Sequence, residues 1–241
     1  MTAENGFNRA PLQSTATSGP LFTEQEFSWE HTEGITGSGS LLIVLVGSID
    51  SSRIGKVQAL SATFSGAATQ AMTLSHELIG TGRAFPSIHI FTLASPGFSG
   101  VYPSTSGIIT VRMNEVASNA HSLSIVLSGT DTASLNYLPG TFIDRVEHNI
   151  TAKGTLSGSL SANTGDLLLD CVLANAGRPD SHTLGPDQIL IDKVYLNSGG
   201  SAAMSVSMKF ASTAAHTKGM FRSGVTALET VSETKFVIRM H

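Results

Sequence analysis

Short runs in which every second side chain is apolar recur along this chain, and they limit its possible folds more than any other feature. The segment Met204–Phe210 alternates Met, Val and Phe with Ser and Lys, and Met72–Leu78 and Ile88–Leu93 follow related patterns. A period of two residues is that of a β-strand with one buried face, whereas an amphipathic helix repeats every 3.6 residues. No stretch carries a sustained apolar stripe at helical spacing, so the sequence predicts an all-β protein.

One run differs from the alternating strands because it is apolar at every position. Leu41–Val46 contains six consecutive apolar residues and is followed by Gly47. It is short for a helix and rich in β-branched side chains, so it predicts a strand that is buried on both faces. With the alternating segments, the chain holds roughly a dozen strands separated by turn residues, which is the spacing of a sandwich or barrel.

The connections between these strands are mostly too short for the crossovers that parallel strands need, so the sheets are expected to be antiparallel. The longest connection is expected at residues 129–154, with a short strand or a helical turn at Phe142–Val146. No internal repeat or linker is visible. We therefore predict an antiparallel, jelly-roll-like β-sandwich domain at residues 27–241, preceded by an extended N-terminal arm at residues 1–26.

Charge is scarce in this chain, and that restricts its partners. Charged residues make up 13% of the 241 positions and the formal net charge is −4, whereas soluble domains average about 25% charged residues. No basic stripe is present, so we expect no nucleic-acid partner. The apolar runs are shorter than a membrane span and no signal peptide is visible, so we expect a protein made in a cytoplasm with no membrane association.

Few residue patterns in the chain carry chemistry. The Gly-x-Ser-x-Gly motif of a nucleophile elbow does not occur. The single cysteine, Cys171, excludes an internal disulfide and is expected to be a buried, inert thiol.

Asp166 and Asp170 lie roughly 13 Å apart along one strand, too far for a glycosidase carboxylate pair. A cation site at Asp180, His182 and Asp187 is less favoured than ordinary loop polarity.

The eight histidines are scattered rather than spaced as metal ligands. They are His31, His76, His89, His121, His148, His182, His216 and His241. His76 and His89 lie on predicted strands, where exposed or hydrogen-bonded rings are expected. We therefore predict no catalytic residues, no cofactor-binding residues, no cofactor and no metal site, and hence a protein that is not an enzyme.

Two further patterns have a structural and a functional interpretation. Trp29 with Tyr102, Tyr137 and Tyr195 could form a sugar-stacking platform, although core packing is favoured for Trp29. Asn149-Ile-Thr151 matches a glycosylation acceptor, but one such triplet is expected by chance. The N-terminal arm could lie on its own domain or add a strand to a neighbouring subunit.

Five stretches, taken in order, resemble a β-sandwich domain of structural proteins from tailed bacteriophages and related uncharacterised bacterial proteins. They are Leu41–Val46, Val57–Gly66, Ile88–Gly97, Leu123–Asp131 and Thr164–Val172. The resemblance covers about residues 27–210. It carries no catalytic residues, and it implies a virion component without enzymatic activity.

The resemblance therefore implies a capsid decoration, cement or head-spike protein located in the virion. Its partners would be the major capsid protein and copies of itself, with a trimer favoured. One alternative is a tail or baseplate protein that binds a receptor or a glycan. Another, less favoured, is a hydrolase on a jelly-roll scaffold.

Overall fold

The structure, a computed structural model, describes thirteen segments of the chain. They are residues 12–18, 24–31, 41–49, 57–66, 68–80, 86–94, 106–117, 119–127, 145–175, 182–185, 187–196, 202–211 and 217–238. They contain the strands β1 (Leu12–Thr17), β2 (Glu24–His31), β3 (Leu41–Ile49), β4 (Ala59–Ser65), β5 (Thr69–Ala71), β6 (Thr73–Leu78), β7 (Ser87–Ala94), β8 (Gly107–Ala117), β9 (Asn119–Leu127), β10 (Arg145–Ala162), β11 (Leu167–Asn175), β12 (His182–Leu184), β13 (Ile189–Tyr195), β14 (Ala202–Phe210) and β15 (Thr217–Ile238).

The strands form three sheets in which every pair is antiparallel. A central five-stranded sheet has the order β1-β9-β3-β7-β6, and a four-stranded sheet has the order β2-β8-β4-β5. A six-stranded sheet has the order β10-β15-β11-β14-β13, with β12 also paired to β15. The predicted all-β fold with antiparallel, sandwich-like sheets is confirmed.

The central sheet is buried on both faces because its strands carry apolar side chains at odd and even positions alike. Leu41, Ile43 and Leu45 pack with residues of the six-stranded sheet such as Leu169 and Phe236. The alternate residues of β3, from Leu42 to Val46, pack against the four-stranded sheet. The prediction of a strand buried on both faces is confirmed, since all nine residues of β3 are buried.

Strands β10 and β15 are the longest, at 18 and 22 residues, and their pairing is divided by an irregularity. The register shifts between Ala152 and Gly154. Beyond this point, Leu160 and Ala162 pack with Leu168 and Val237 on the side of the six-stranded sheet that faces away from the central sheet. That outer face is therefore buried as well.

Two parts of the chain differ from the sequence-based expectation. Residues 145–154 belong to β10, so the expected connection at residues 129–154 is wrong for this part, and residues 129–144 lie outside the described segments. Within the expected arm, Leu12–Thr17 forms β1, which pairs with β9 at an edge of the central sheet. Leu12–Thr17 is rich in Ser and Thr, and residues 145–154 contain three charged residues and only three apolar ones, so neither segment has the apolar content that marks the core strands.

Candidate functional site

Strand β13, at the edge of the six-stranded sheet, carries more exposed large apolar side chains than any other strand among the described residues. Strand β13 pairs with β14 on one side, and no described strand pairs with its other side. Ile189 is 50% exposed, Leu190 44% and Tyr195 38%. Phe210, two residues beyond the register partner of Ile189, is also exposed. Ile189 and Phe210 lie on the face towards the central sheet, and Leu190 and Tyr195 lie on the opposite face. We call these four residues the β13 edge surface.

The charged side chains of β13 make their contacts away from this open edge. The Asp192 carboxylate contacts the buried His121 ring of the central sheet, with 2.7 Å between Nε2 and Oδ2. The Lys193 ammonium donates a hydrogen bond to the carbonyl oxygen of His182, at 3.0 Å. An open edge whose charges are engaged in this way can accept another strand or an apolar surface.

The turn before β13 is held by a glutamine. The Gln188 side chain accepts a hydrogen bond from the Gly185 amide at 2.6 Å and donates one to Ser207 Oγ at 3.0 Å. Asp187 has a φ of 61°, a left-handed conformation that is uncommon for a residue with a Cβ atom. These contacts fix the start of β13, so the edge surface has a defined position.

A second surface lies on the four-stranded sheet, where a cleft of about 650 Å³ opens. Its walls are Ser28, Trp29, Glu30, Ser65, Gly66, Ser106, Gly107 and Ile108. Hydroxyl groups on its sheet pair across strands, Ser28 with Thr110 at 2.7 Å and Ser65 with Thr69 at 2.9 Å. A carboxylate, several hydroxyls and an exposed isoleucine could together contact a small polar ligand.

Trp29 belongs mainly to the core beneath this cleft. Its ring is stacked on Phe27 with centroids 6.1 Å apart, and its Nε1 donates to Ser124 Oγ at 3.0 Å. Ser124 in turn donates to the carbonyl oxygen of Ala16, so the 2.7 Å contact with His31 Nδ1 requires the histidine to be the donor. Burial lowers the pKa of His31, which agrees with a neutral ring protonated at Nδ1.

The structure separates most of the candidate chemical residues. His182 Nδ1 contacts Ser205 Oγ at 2.8 Å, whereas Asp187 lies 3.9 Å from the Lys209 ammonium. Asp180 lies outside the described segments, as do Tyr102, Tyr137, His216 and His241, and the side chains of His148 and Asn149 are not described. Asp166 accepts a hydrogen bond from the Asn163 amide in the turn before β11. No group of three or more potential metal ligands occurs among the described residues.

Two sequence-based interpretations concern single buried groups. Cys171 is a buried free thiol, as predicted, and burial followed by the nearby carboxylate of Asp170 raises its pKa. His89 is fully buried, and neither of its ring nitrogens has a hydrogen-bond partner among the described residues, so the expectation of an exposed or hydrogen-bonded ring is wrong. Burial, and then the charge of His76, lowers its pKa to about 4.

A cluster of three charged side chains, which the sequence analysis did not anticipate, is buried in the outer face of the six-stranded sheet. Lys235 and Glu233 are 0% exposed and Asp170 is 1% exposed. Lys235 Nζ lies 3.1 Å from Asp170 Oδ2 and also contacts Glu233 Oε1. The one available signal was a charged residue, Asp170, inside the apolar run Leu167–Leu173.

Comparison with known proteins adds no relative. No protein-family model, no curated protein and no solved structure matches this chain. Among the described residues, no helix has the length and apolar character needed to cross a membrane.

Proposed function

We propose that this chain is a non-enzymatic structural protein of a tailed-phage virion, of the capsid decoration, cement or head-spike type. It would bind copies of itself, with a trimer favoured, and the major capsid protein. The observation that supports this proposal best is the β13 edge surface, which combines an open strand edge with exposed apolar side chains. The strand-and-turn resemblance at residues 27–210 supports the virion assignment.

The physical role of such a protein is to add interface area that exists only in the assembled particle. Each contact that forms only between folded subunits shifts the equilibrium towards the folded, assembled state. A low content of charged residues reduces the desolvation penalty when large surfaces are buried against each other. At the β13 edge, Asp192 contacts His121 and Lys193 contacts the His182 carbonyl, so these two charges also add little to the desolvation penalty there.

Light scattering on the purified chain tests the self-association part of this proposal. We expect an oligomer for the natural chain and a monomer for the double variant Leu190→Lys/Tyr195→Lys, because two ammonium groups cannot be buried at a sheet edge without partners. Val116→Lys is the matched control, since Val116 is an equally exposed apolar residue on β8, in another sheet. A monomeric natural chain contradicts the proposed oligomer.

Co-sedimentation tests the partner. The natural chain and the Val116→Lys control are expected to sediment with purified phage capsids that lack this protein, whereas the edge variant is expected to remain in the supernatant. A natural chain that stays in the supernatant with every capsid tested contradicts the decoration role.

A second candidate function, glycan or receptor binding as part of a tail or baseplate, is favoured by the cleft on the four-stranded sheet. Its Glu30 carboxylate and serine hydroxyls are the kinds of groups that bind sugar hydroxyls. A glycan array with the natural chain and Glu30→Gln tests it. Binding that Glu30→Gln abolishes supports this candidate, and an array without binding contradicts it.

A further inference from the structure

The buried cluster of Lys235, Asp170 and Glu233 has an arrangement that an ordinary ion pair does not require. Lys235 and Asp170 are direct register partners on β15 and β11. Glu233 lies two residues before Lys235 and therefore projects from the same face of β15. The neighbouring residues on this face, Val172 and Val231, form an apolar cluster with Ala174. An amine and two carboxyl groups thus meet where water is excluded.

Electrostatic stabilisation alone explains this cluster poorly. The three groups, if all ionised, carry a net charge of −1 in a buried layer, and buried ion pairs are often no more stabilising than apolar residues of similar volume. Burial by itself lowers the pKa of Lys235, while the carboxylates of Asp170 and Glu233 outweigh burial and raise it. The two carboxylates therefore hold a proton on the amine, and a base must remove it before the amine can act as a nucleophile.

We propose that Lys235 and Asp170 join through an intramolecular amide bond, with Glu233 carrying the protons. Lys235 Nζ lies 3.1 Å from Asp170 Oδ2, so the amine is in contact with the carboxyl group whose carbon it would attack. Glu233 contacts the same Nζ, which is the position a general base needs for activating an amine nucleophile. The reaction is independent of the proposed function.

The atoms of this reaction balance without any further reagent. Glu233 takes one proton from the Lys235 ammonium and passes it to the Asp170 carboxylate. The Nζ lone pair then forms a bond to the Asp170 carboxyl carbon, and the C–O bond to the protonated oxygen breaks. A second proton from Nζ reaches that oxygen through Glu233, so one water molecule leaves and Glu233 returns to its carboxylate form. No oxidation or reduction occurs.

Such a bond would join β11 to β15 across 65 residues of chain. The sequence has a single cysteine and therefore no internal disulfide. An amide bond supplies the same kind of covalent closure and does not depend on the redox state of its surroundings.

Mass spectrometry of the purified full-length chain under denaturing conditions tests this proposal. We expect a mass lower than that of the linear chain by one water molecule. Trypsin cleaves a linear chain after Lys235 but does not cleave after an acylated lysine. The digest should therefore contain a branched peptide in which residues 154–193 are joined to residues 223–239.

Variants assign the roles within the cluster. Lys235→Met and Asp170→Ala should have the full linear mass, and Glu233→Gln should lose water much more slowly than the natural chain. Lys193→Met is the matched control, because its ammonium lies on the same sheet but contacts only the carbonyl of His182 among the described hydrogen bonds. This control should show the same water loss as the natural chain.

The natural chain alone decides the main result, whether or not a variant folds. A natural chain of full linear mass whose Lys235 is cleaved by trypsin overturns the proposal. A water loss that maps to any other pair, including Lys235 with Glu233, also overturns it. Water loss in Glu233→Gln at the natural rate overturns the role of Glu233 as proton carrier.

Discussion

The two faces of the central sheet are equally buried but differ in chemistry. The face towards the six-stranded sheet is built mainly from Leu and Ile. Its described histidines are His121, which is engaged by Asp192, and His76, the register partner of Ile90. The face towards the four-stranded sheet combines apolar residues such as Phe91 with His89 and Ser124. The first face depends mainly on apolar packing, whereas the second ties stability more closely to protonation and to specific hydrogen bonds.

The largest expected effect is the loss of packing on the apolar face. Ile43→Ala should lower the free energy of unfolding by about 2–5 kcal/mol, because it removes buried methyl groups and leaves a cavity between two sheets that cannot easily close. Urea unfolding monitored by circular dichroism measures this loss. The matched control is Leu60→Ala on the exposed side of β4, for which a loss close to that of Ile43→Ala would contradict the argument.

The polar face should make stability depend on pH. The pKa of His89 is about 4 when folded, below its ordinary value of 6.5. As the pH falls through this range, the unfolded chain binds a proton that the folded chain does not, so stability decreases. Between pH 7 and pH 5 this decrease should be about 2 kcal/mol. Urea unfolding of the natural chain and His89→Gln at both pH values isolates the contribution, and equal pH dependence in the two proteins would refute it.

Ser124→Ala tests the hydrogen bonds of the polar face. The substitution leaves Trp29 Nε1, His31 Nδ1 and the Ala16 carbonyl without the partner they share. We expect a loss of about 1–3 kcal/mol in unfolding free energy, the usual effect of unsatisfied buried polar groups. Ser28→Ala removes a comparable hydroxyl from the exposed face and is the control, expected to change stability by less than about 0.5 kcal/mol.

The smallest effect concerns how closely the apolar face packs. A Cβ atom at Gly47 would lie 2.9 Å from Met204 Sδ and 3.1 Å from a Leu173 methyl group. Gly47→Ala should therefore destabilise the fold by about 1 kcal/mol, since the flexible methionine side chain can move aside. The double variant Gly47→Ala/Met204→Ala should show less than the sum of the two single losses, and strict additivity would contradict this contact.

The contrast between apolar and polar parts of the molecule also explains which strands could be predicted from the sequence. Alternating and continuous apolar runs identify β3, β7, β9, β11 and β14, because packing of the sheets requires that pattern. Strand β1 and the long strand β10 carry Ser, Thr and Gly instead, so their pairing depends on neighbours that no local pattern records. The burial of Lys235 and Glu233 could not be predicted from the sequence either, because charged residues normally indicate exposed positions.

Part of the candidate site could be predicted from the sequence, and part follows only from the fold. Tyr195 and the segment Ile189–Tyr195 are visible in the sequence as a strand, but its position at an open edge follows only from the topology. The inward contacts of Asp192 and Lys193 depend on His121 and His182, which come from other strands. An edge surface is a property of how strands are ordered, and strand order is not encoded in any one strand.

The place of β15 within its sheet has a consequence for synthesis. This strand lies between β10 and β11, yet it follows both of them along the chain. A ribosome needs roughly 3–13 s to add the 63 residues between positions 175 and 238 at common elongation rates. Throughout that interval the apolar residues of β11 have no completed sheet to join. We therefore expect nascent chains of this protein to be prone to premature association until β15 has been made.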